Sequence, residues 1–207
     1  RLKQRGMTVG VQLLPGLKGE TWESILETAI AVVKLKPDFV RIYPVLVIEN
    51  TELADQYRAG EYEPLSTEQA ITYCAFLKDW FERHNIEVIR TGLQSTEELD
   101  SGNSLVAGPY EPAMGELVVN EQYKQRIERC INEHIESFID KKLSQWNIWG
   151  QVNTYIALNI SIFYPRSLTS KVRGLKNRNM LYFQEKYPHI NINWYEDSTR
   201  NTVCCCI

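Results

Sequence analysis

Three short apolar runs punctuate the first hundred residues, and the stretches between them repeat their apolar side chains at helical spacing. Met7 to Leu14 (MTVGVQLL) predicts a strand closed by Pro15-Gly16. Gly19 then leads into Trp22, Ile25, Leu26, Ala29, Ile30 and Val33, whose steps of three and four residues predict a helix that Pro37 stops. Asp38 to Val47 (DFVRIYPVLV) predicts a buried strand running into a proline-containing loop, followed by a helical turn around Leu53 to Arg58. Ser66 with Gln69 makes a capping box for a helix whose apolar face is Ala70, Ile71, Cys74, Leu77 and Phe81. Ile86 to Thr91 (IEVIRT) predicts a third strand. Strands alternating with helices of this length imply crossover connections and a parallel sheet. The pattern is β-α-β-α-β, of α/β class, and fits either part of an open doubly wound sheet or a piece of a barrel. Three strands are few for a complete α/β domain, so the segment reads as the latter half of one.

The pattern changes after residue 100. Ser101 to Gly115 (SGNSLVAGPYEPAMG) is rich in Gly and Pro and marks a loop or boundary. A long amphipathic helix is predicted from Asn120 to Ser144, with Ile127, Ile131, Ile135 and Phe138 on one stripe. Thr154 to Phe163 alternates, with Ile156, Leu158, Ile160 and Ile162 on one face, and predicts a half-exposed strand. Helix, a turn at Arg173-Gly174, helix and the strand His189 to Tyr195 complete a small α+β unit. Two domains are therefore expected, 1–115 and 116–207.

Composition narrows the class. The chain has 207 residues, 43% hydrophobic and 24% charged, which excludes a disordered or collagen-like chain. No apolar stretch approaches the roughly 20 residues of a membrane span, and no signal peptide is read at the start. The first residue is Arg1, which reads as a truncation point. The net charge of -3 conceals an asymmetry: residues 1–115 carry 11 Lys+Arg against 17 Asp+Glu, and residues 116–207 carry 12 against 9. Arg166, Lys171, Arg173, Lys176, Arg178 and Lys186 face only Glu185 within their segment, a footprint suited to a polyanion. Five cysteines without spaced pairs argue against a disulfide scaffold and for a reducing compartment, here expected to be cytoplasmic. Cys74 and Cys130 fall at apolar-periodic helical positions and read as buried free thiols. Cys204 to Cys206 are adjacent and poorly spaced to wrap one ion, and they lack the aliphatic residues and basic flank of a prenylation signal.

Each predicted strand places one polar side chain in an apolar run. Parity puts Gln12 with Gly10 and Leu14, Arg41 with Phe39 and Tyr43, and Arg90 with Val88 and Gly92. An unpaired polar group in a sheet covered on both sides costs about 1–3 kcal/mol, and more if charged, so these three are expected to face a wet or ligand-filled space. Sites of α/β folds lie at the carboxyl ends of strands, and two arginines beside a glutamine suit a carboxylate, phosphate or nucleoside. The competing expectations are that the arginines pair with a buried acid such as Glu87, or that the register is off by one and they face solvent. The loop Pro15-Gly16-Leu17-Lys18-Gly19 is also expected to offer backbone N–H groups to an anion. No Ser/His/Asp set stands out, and no catalytic residue is assigned.

VGVQLLPGLKGETWESILETA followed by PDFVRIYPVLVIENTELADQYRAGEYEPLS resembles the late barrel strands of radical S-adenosylmethionine enzymes. The resemblance is to the branch of the Elongator catalytic subunit and the oxygen-independent coproporphyrinogen III oxidase-like proteins. Its most specific part is Arg41 to Ile48 with Thr51, Leu53, Tyr57, Gly60 and Tyr62; VIRTGLQSTEEL and VAGPYEP extend it to about residue 115. The resemblance implies the latter half of a partial (β/α)6, TIM-like barrel. It also implies a [4Fe–4S] cluster, held by a C-x3-C-x2-C motif in the earlier half, that cleaves S-adenosylmethionine to a 5′-deoxyadenosyl radical. Gln12, Leu14 and Gly16, with Tyr43, Pro44 and Val45, would line the adenosine side of that cofactor, and Arg41 and Arg90 would hold a substrate or cofactor carboxylate. No C-x3-C-x2-C occurs in the chain, so the cluster ligands and the N-terminal barrel half would have to come from outside it. No acetyl-coenzyme-binding glycine loop follows Gly115.

The order of the second part is similar to a KH-type RNA-binding module, in which a GxxG loop between two helices clamps a nucleotide backbone. Gly174-Leu175-Lys176-Asn177 stands at that place with Asn for the second glycine, flanked by Arg173 and Arg178. A small α+β domain with a basic surface helix fits the same residues. The leading expectation is a C-terminal part of a radical S-adenosylmethionine iron–sulfur enzyme of tRNA modification, with tRNA or another RNA as partner. A small-molecule, porphyrinogen-like substrate and a non-catalytic RNA-binding or scaffold protein are the alternatives.

Overall fold

The computed structural model describes residues 1–102, 104–145 and 158–206. It is a mixed α/β structure of two compact units, Arg1–Gln122 and Tyr123–Ile207. The division falls within a long helix, where the sequence pattern placed a boundary at Gly115.

The first unit opens with β1 (Gly10–Leu13), α1 (Trp22–Leu35) and β2 (Phe39–Ile42). Thr21 and Ser24 cap α1 reciprocally, the Thr21 hydroxyl accepting from Ser24 N at 3.2 Å and the Ser24 hydroxyl from Thr21 N at 2.9 Å. Lys36 ends it in a left-handed conformation, φ 50°, immediately before Pro37. The predicted strand Asp38–Val47 divides. β2 stops at Ile42, and Val47–Ile48 forms β3, which leaves the main sheet to pair antiparallel with β5 (Leu105–Ala107). β5 lies inside the Gly/Pro-rich stretch expected to be loop. Between them come α2 (Glu52–Arg58), α3 (Thr67–Arg83) under its Ser66/Gln69 capping box, β4 (Glu87–Thr91) and the short α4 (Glu97–Asp100). α5 spans Met114–Gln145, starting six residues before the predicted Asn120, and Met114 and Val118 belong to the first core.

The main sheet is parallel throughout, in the order β1-β2-β4. Leu13, Val40 and Ile42 pack with Ile25, Ala29 and Val32 of α1 and with Cys74, Leu77 and Phe81 of α3. Both crossover helices therefore cover one face. Burying such a side chain contributes about 1.5–3 kcal/mol, so this face holds the unit together. Burial pushes the Cys74 thiol up to about 12, as expected of an inert core cysteine.

The second unit contains the later turns of α5, β6 (Leu158–Tyr164), α6 (Thr169–Arg173), α7 (Arg178–Lys186), β7 (Ile190–Glu196) and β8 (Cys204–Cys206). The sheet order is β7-β6-β8, with β6 parallel to β7 and antiparallel to β8. Leu158, Ile160, Ile162 and Tyr164 alternate onto the buried face against Ile127, Ile131, Val172 and Phe183. Thr154 to Ala157, the start of the predicted strand, lie outside the described residues. The three terminal cysteines, for which no element was predicted, form the edge strand β8.

Candidate functional site

Gln12, Arg41 and Arg90 form one row across three strands. Gln12 is the register partner of Arg41, and Arg41 that of Arg90. All three are exposed, on the face that the helices leave uncovered. The alignment depends on an irregularity that parity alone does not reveal. Val40 pairs with Val88 but Arg41 pairs with Arg90, so Ile89 is an extra residue. A shift of one residue reverses the facing of everything before it. Val88 thus packs into the helix-covered core, where the sequence reading set it beside Arg90, and Glu87 falls opposite Phe39. Among the described residues neither arginine forms an ion pair, with Glu87 or any other acid. Arg41 lies over the Phe39 ring, 5.5 Å from its centroid, and Arg90 donates to Gln94 at 2.9 Å.

At the carboxyl ends of β1 and β2 the two chains stay laced together. Tyr43 N donates to Leu13 O at 2.8 Å and Val45 N to Pro15 O at 2.9 Å. Pro44 and Val45 are buried, Tyr43 is half-buried and Leu14 is exposed. Gln12, Leu14, Pro15, Leu17 and Glu20 line a cavity of about 190 Å³ beside the end of β1.

The Pro15-Gly16 turn is clamped from within. Gly16, at φ 101°, donates its N–H to Glu20 Oε2 at 2.5 Å and accepts from the buried Tyr62 hydroxyl at 2.6 Å. Glu20 also receives the Leu17 N–H. The loop N–H groups expected to await an anion already hold one, supplied four residues along the chain. Burial pushes the Glu20 carboxyl above its ordinary value against these hydrogen bonds, and burial and Glu20 together raise Tyr62. Sequence reasoning assigned no role to Glu20 and placed Tyr62 only within the resemblance. A signal for Glu20 existed, since an acid four residues after the glycine of a turn is within reach of its N–H.

In the second unit, the helix–turn–helix places Gly174 at φ 70°, ψ 169°, where only glycine is at ease. Lys176 (φ 52°) and Asn177 (φ 61°) are both left-handed, so Asn adopts the backbone conformation that the second glycine of a GxxG loop would favour. Lys176, Asn177 and Arg178 are exposed. Arg173 turns inward, its Nε donating to the fully buried Tyr164 hydroxyl at 3.0 Å and its Nη2 lying 3.8 Å from Glu196. Among the described residues no group of three His, Cys, Asp or Glu is gathered to hold a metal ion, and no described helix is long and apolar enough to cross a membrane.

Residues 37–126 match the Radical_SAM C-terminal domain. This segment is a C-terminal part of the radical S-adenosylmethionine superfamily. Over 134 residues, 63% of the chain, it is 32% identical to a tRNA uridine(34) acetyltransferase of Methanocaldococcus jannaschii and 31% identical to that of Methanocaldococcus infernus. The match spans 24% of each relative's length. The solved structure of the archaeal Methanocaldococcus infernus Elp3 with an N-terminal deletion is 30% identical over 60% of this chain and 28% of that one, with a TM-score of 0.49.

Proposed function

We propose that the chain is the C-terminal part of a radical S-adenosylmethionine enzyme of tRNA modification, in which the first unit supplies one wall of the cofactor and substrate pocket. The observation that carries this reading is the Gln12–Arg41–Arg90 row. It sets two guanidinium groups, without an acid partner among the described residues, beside one amide on an uncovered sheet face. Such a donor set suits a carboxylate, such as that of an amino-acid moiety.

The same face supports the barrel reading. A parallel sheet in sequential order, with both crossover helices on one side, is an arc of a singly wound barrel whose other face is the interior. A doubly wound sheet would reverse its order and carry helices on both sides. Gln12, Leu14, Gly16, Tyr43, Pro44 and Val45 then line the cofactor at the carboxyl ends of the arc. The internally clamped Pro15-Gly16 turn keeps that end of β1 in position without help from a ligand.

The residues fit S-adenosylmethionine but not the cluster, because the chain contains no C-x3-C-x2-C. A cluster would need ligands other than those of this chain and, when bound, would supply the electron for reductive cleavage of S-adenosylmethionine. Arg41 and Arg90 hold a carboxylate, and the exposed Lys176, Asn177 and Arg178 of the KH-like lobe dock RNA phosphates, with Gly174 giving the loop its shape. Relatives named for tRNA uridine(34) support RNA as the substrate class.

The test uses the protein joined to its cluster-bearing half and reconstituted anaerobically with iron and sulfide. S-adenosylmethionine cleavage stimulated by tRNA is expected, with Arg41→Met and Arg90→Met weakening cofactor or substrate binding at least tenfold while the fold is retained. Absence of cleavage would remove the radical assignment. Cleavage stimulated by a small molecule, with tRNA inert, would transfer the reading to a porphyrinogen-like substrate.

A further inference from the structure

Two thiols outside the proposed site share one cavity of the second unit. Cys130 lies on α5 and Cys205 at the centre of β8, and both line a space of about 220 Å³ with Tyr123, Arg126, Leu168 and Val203. Cys205 sits on the buried side of its strand, in register with Ile162, and is 8% exposed. It packs in the same apolar cluster as the half-buried Cys130. One turn further along α5, His134 Nδ1 donates to the Cys130 carbonyl at 2.8 Å and lies 3.9 Å from Cys130 Sγ. Cys204 and Cys206 alternate onto the opposite face of β8, where Arg200 Nη1 approaches Cys204 Sγ at 2.6 Å. Cys74 is enclosed in the core of the other unit. Cys130 and Cys205 are thus two cysteines from elements distant in sequence that line one cavity.

We propose that Cys130 and Cys205 are a redox-modifiable dithiol that closes to an intramolecular disulfide, tying α5 to β8. The oxidant is a low-molecular-weight disulfide entering the cavity. Cys130, the more accessible of the two, attacks one sulfur as its thiolate, breaking the S–S bond and releasing one small thiol. Cys205 then attacks Cys130 Sγ, forming the protein disulfide and displacing the second small thiol. Two electrons pass from the dithiol to the oxidant, and the two thiol protons leave with the released thiols. Cys205, the more buried thiol, reacts second: it attacks as it loses its proton, which leaves with the second small thiol. The link would fix a three-residue edge strand otherwise held by its pairing with β6 and by apolar packing.

The experiment incubates the protein with oxidised glutathione, blocks free thiols and maps the peptides under non-reducing conditions. The expected product joins the Cys130 peptide to the terminal peptide through Cys205, assigned by fragmentation, reversed by reductant and accompanied by a higher unfolding midpoint. It should also form in a Cys204→Ser/Cys206→Ser variant and be lost in Cys205→Ser. Glutathione remaining on Cys130 without a cross-link, or a link confined to Cys204 and Cys206, would overturn the proposal. The wild-type fragmentation decides even where a variant fails to fold.

Discussion

The Tyr62 hydroxyl donates to the carbonyl of Gly16 at 2.6 Å, joining the segment after α2 to the turn after β1. Tyr62 is 7% exposed and packs with Val45, Val47 and Ala54, so the bond is enclosed by the small core under β3 and β5. Tyr62→Phe keeps the ring and leaves the Gly16 carbonyl without this donor. A net loss of about 1 kcal/mol is expected. Urea unfolding of the variant should give a lower midpoint at unchanged slope; an unaltered midpoint would mean that water replaces the hydroxyl without cost.

Glu20 holds the other side of the same turn, and its carboxyl is raised chiefly by burial. A raised native value means that the folded state binds the proton more tightly than the unfolded chain. Stability therefore falls as pH rises from the ordinary glutamate value through the raised one, and is regained on acidification. Glu20→Gln keeps an oxygen for the Gly16 N–H and removes the charge. The variant should match or exceed the wild type near neutral pH, by no more than about 1 kcal/mol because the group is partly solvated. The difference should vanish near pH 4. A variant less stable at pH 7 than at pH 4, relative to wild type, would show that the charge itself holds the turn.

Most of the first unit was legible because apolar periodicity and capping chemistry are local. Ser66 with Gln69 announced α3, and the pairing of helices with strands gave the parallel sheet. The split of the 38–47 run was not legible, because Tyr43 to Ile48 is as apolar as the strand before it and only partners distant in sequence separate them. The row of Gln12, Arg41 and Arg90 was legible residue by residue, yet its third member aligns only through the bulge at Ile89, and no pattern in EVIRT marks it. β8 was hidden for a different reason. Three cysteines carry chemical associations that obscured their service as small apolar strand residues. Arg173 was read as a phosphate ligand from its charge, whereas the buried Tyr164 hydroxyl draws it inward.

Gly174 gives a direct check on the helix–turn–helix. A Cβ there would meet the Asn179 side-chain amide at 2.9 Å, and the φ of 70° with ψ of 169° is unfavourable for any L side chain. Asn179 is itself buried and donates to Val172 O at 3.1 Å, closing the end of α6. Gly174→Ala should therefore cost about 1–3 kcal/mol by strain alone, and loss of the Asn179 bond would add to it. Thermal unfolding of the variant measures the sum. A cost below a few tenths would show that the loop rearranges freely.

The RNA-docking reading separates the cations of this loop into two kinds. Lys176 and Arg178 are exposed, whereas Arg173 is engaged with Tyr164 and Glu196. Replacing Lys176 and Arg178 together with Ala should leave the unfolding midpoint nearly unchanged and reduce the salt dependence of tRNA affinity by about one unit of slope per cation. Arg173→Ala should do the reverse. It strands a hydroxyl in the core and leaves Glu196 without its cation, so stability falls by roughly 1–3 kcal/mol while the salt slope is unaltered. Binding measured between low and moderate salt distinguishes the two. A slope unchanged in the Lys176/Arg178 double variant would sink the docking role of the loop, whatever the affinity, because phosphate neutralisation must register in the release of counterions.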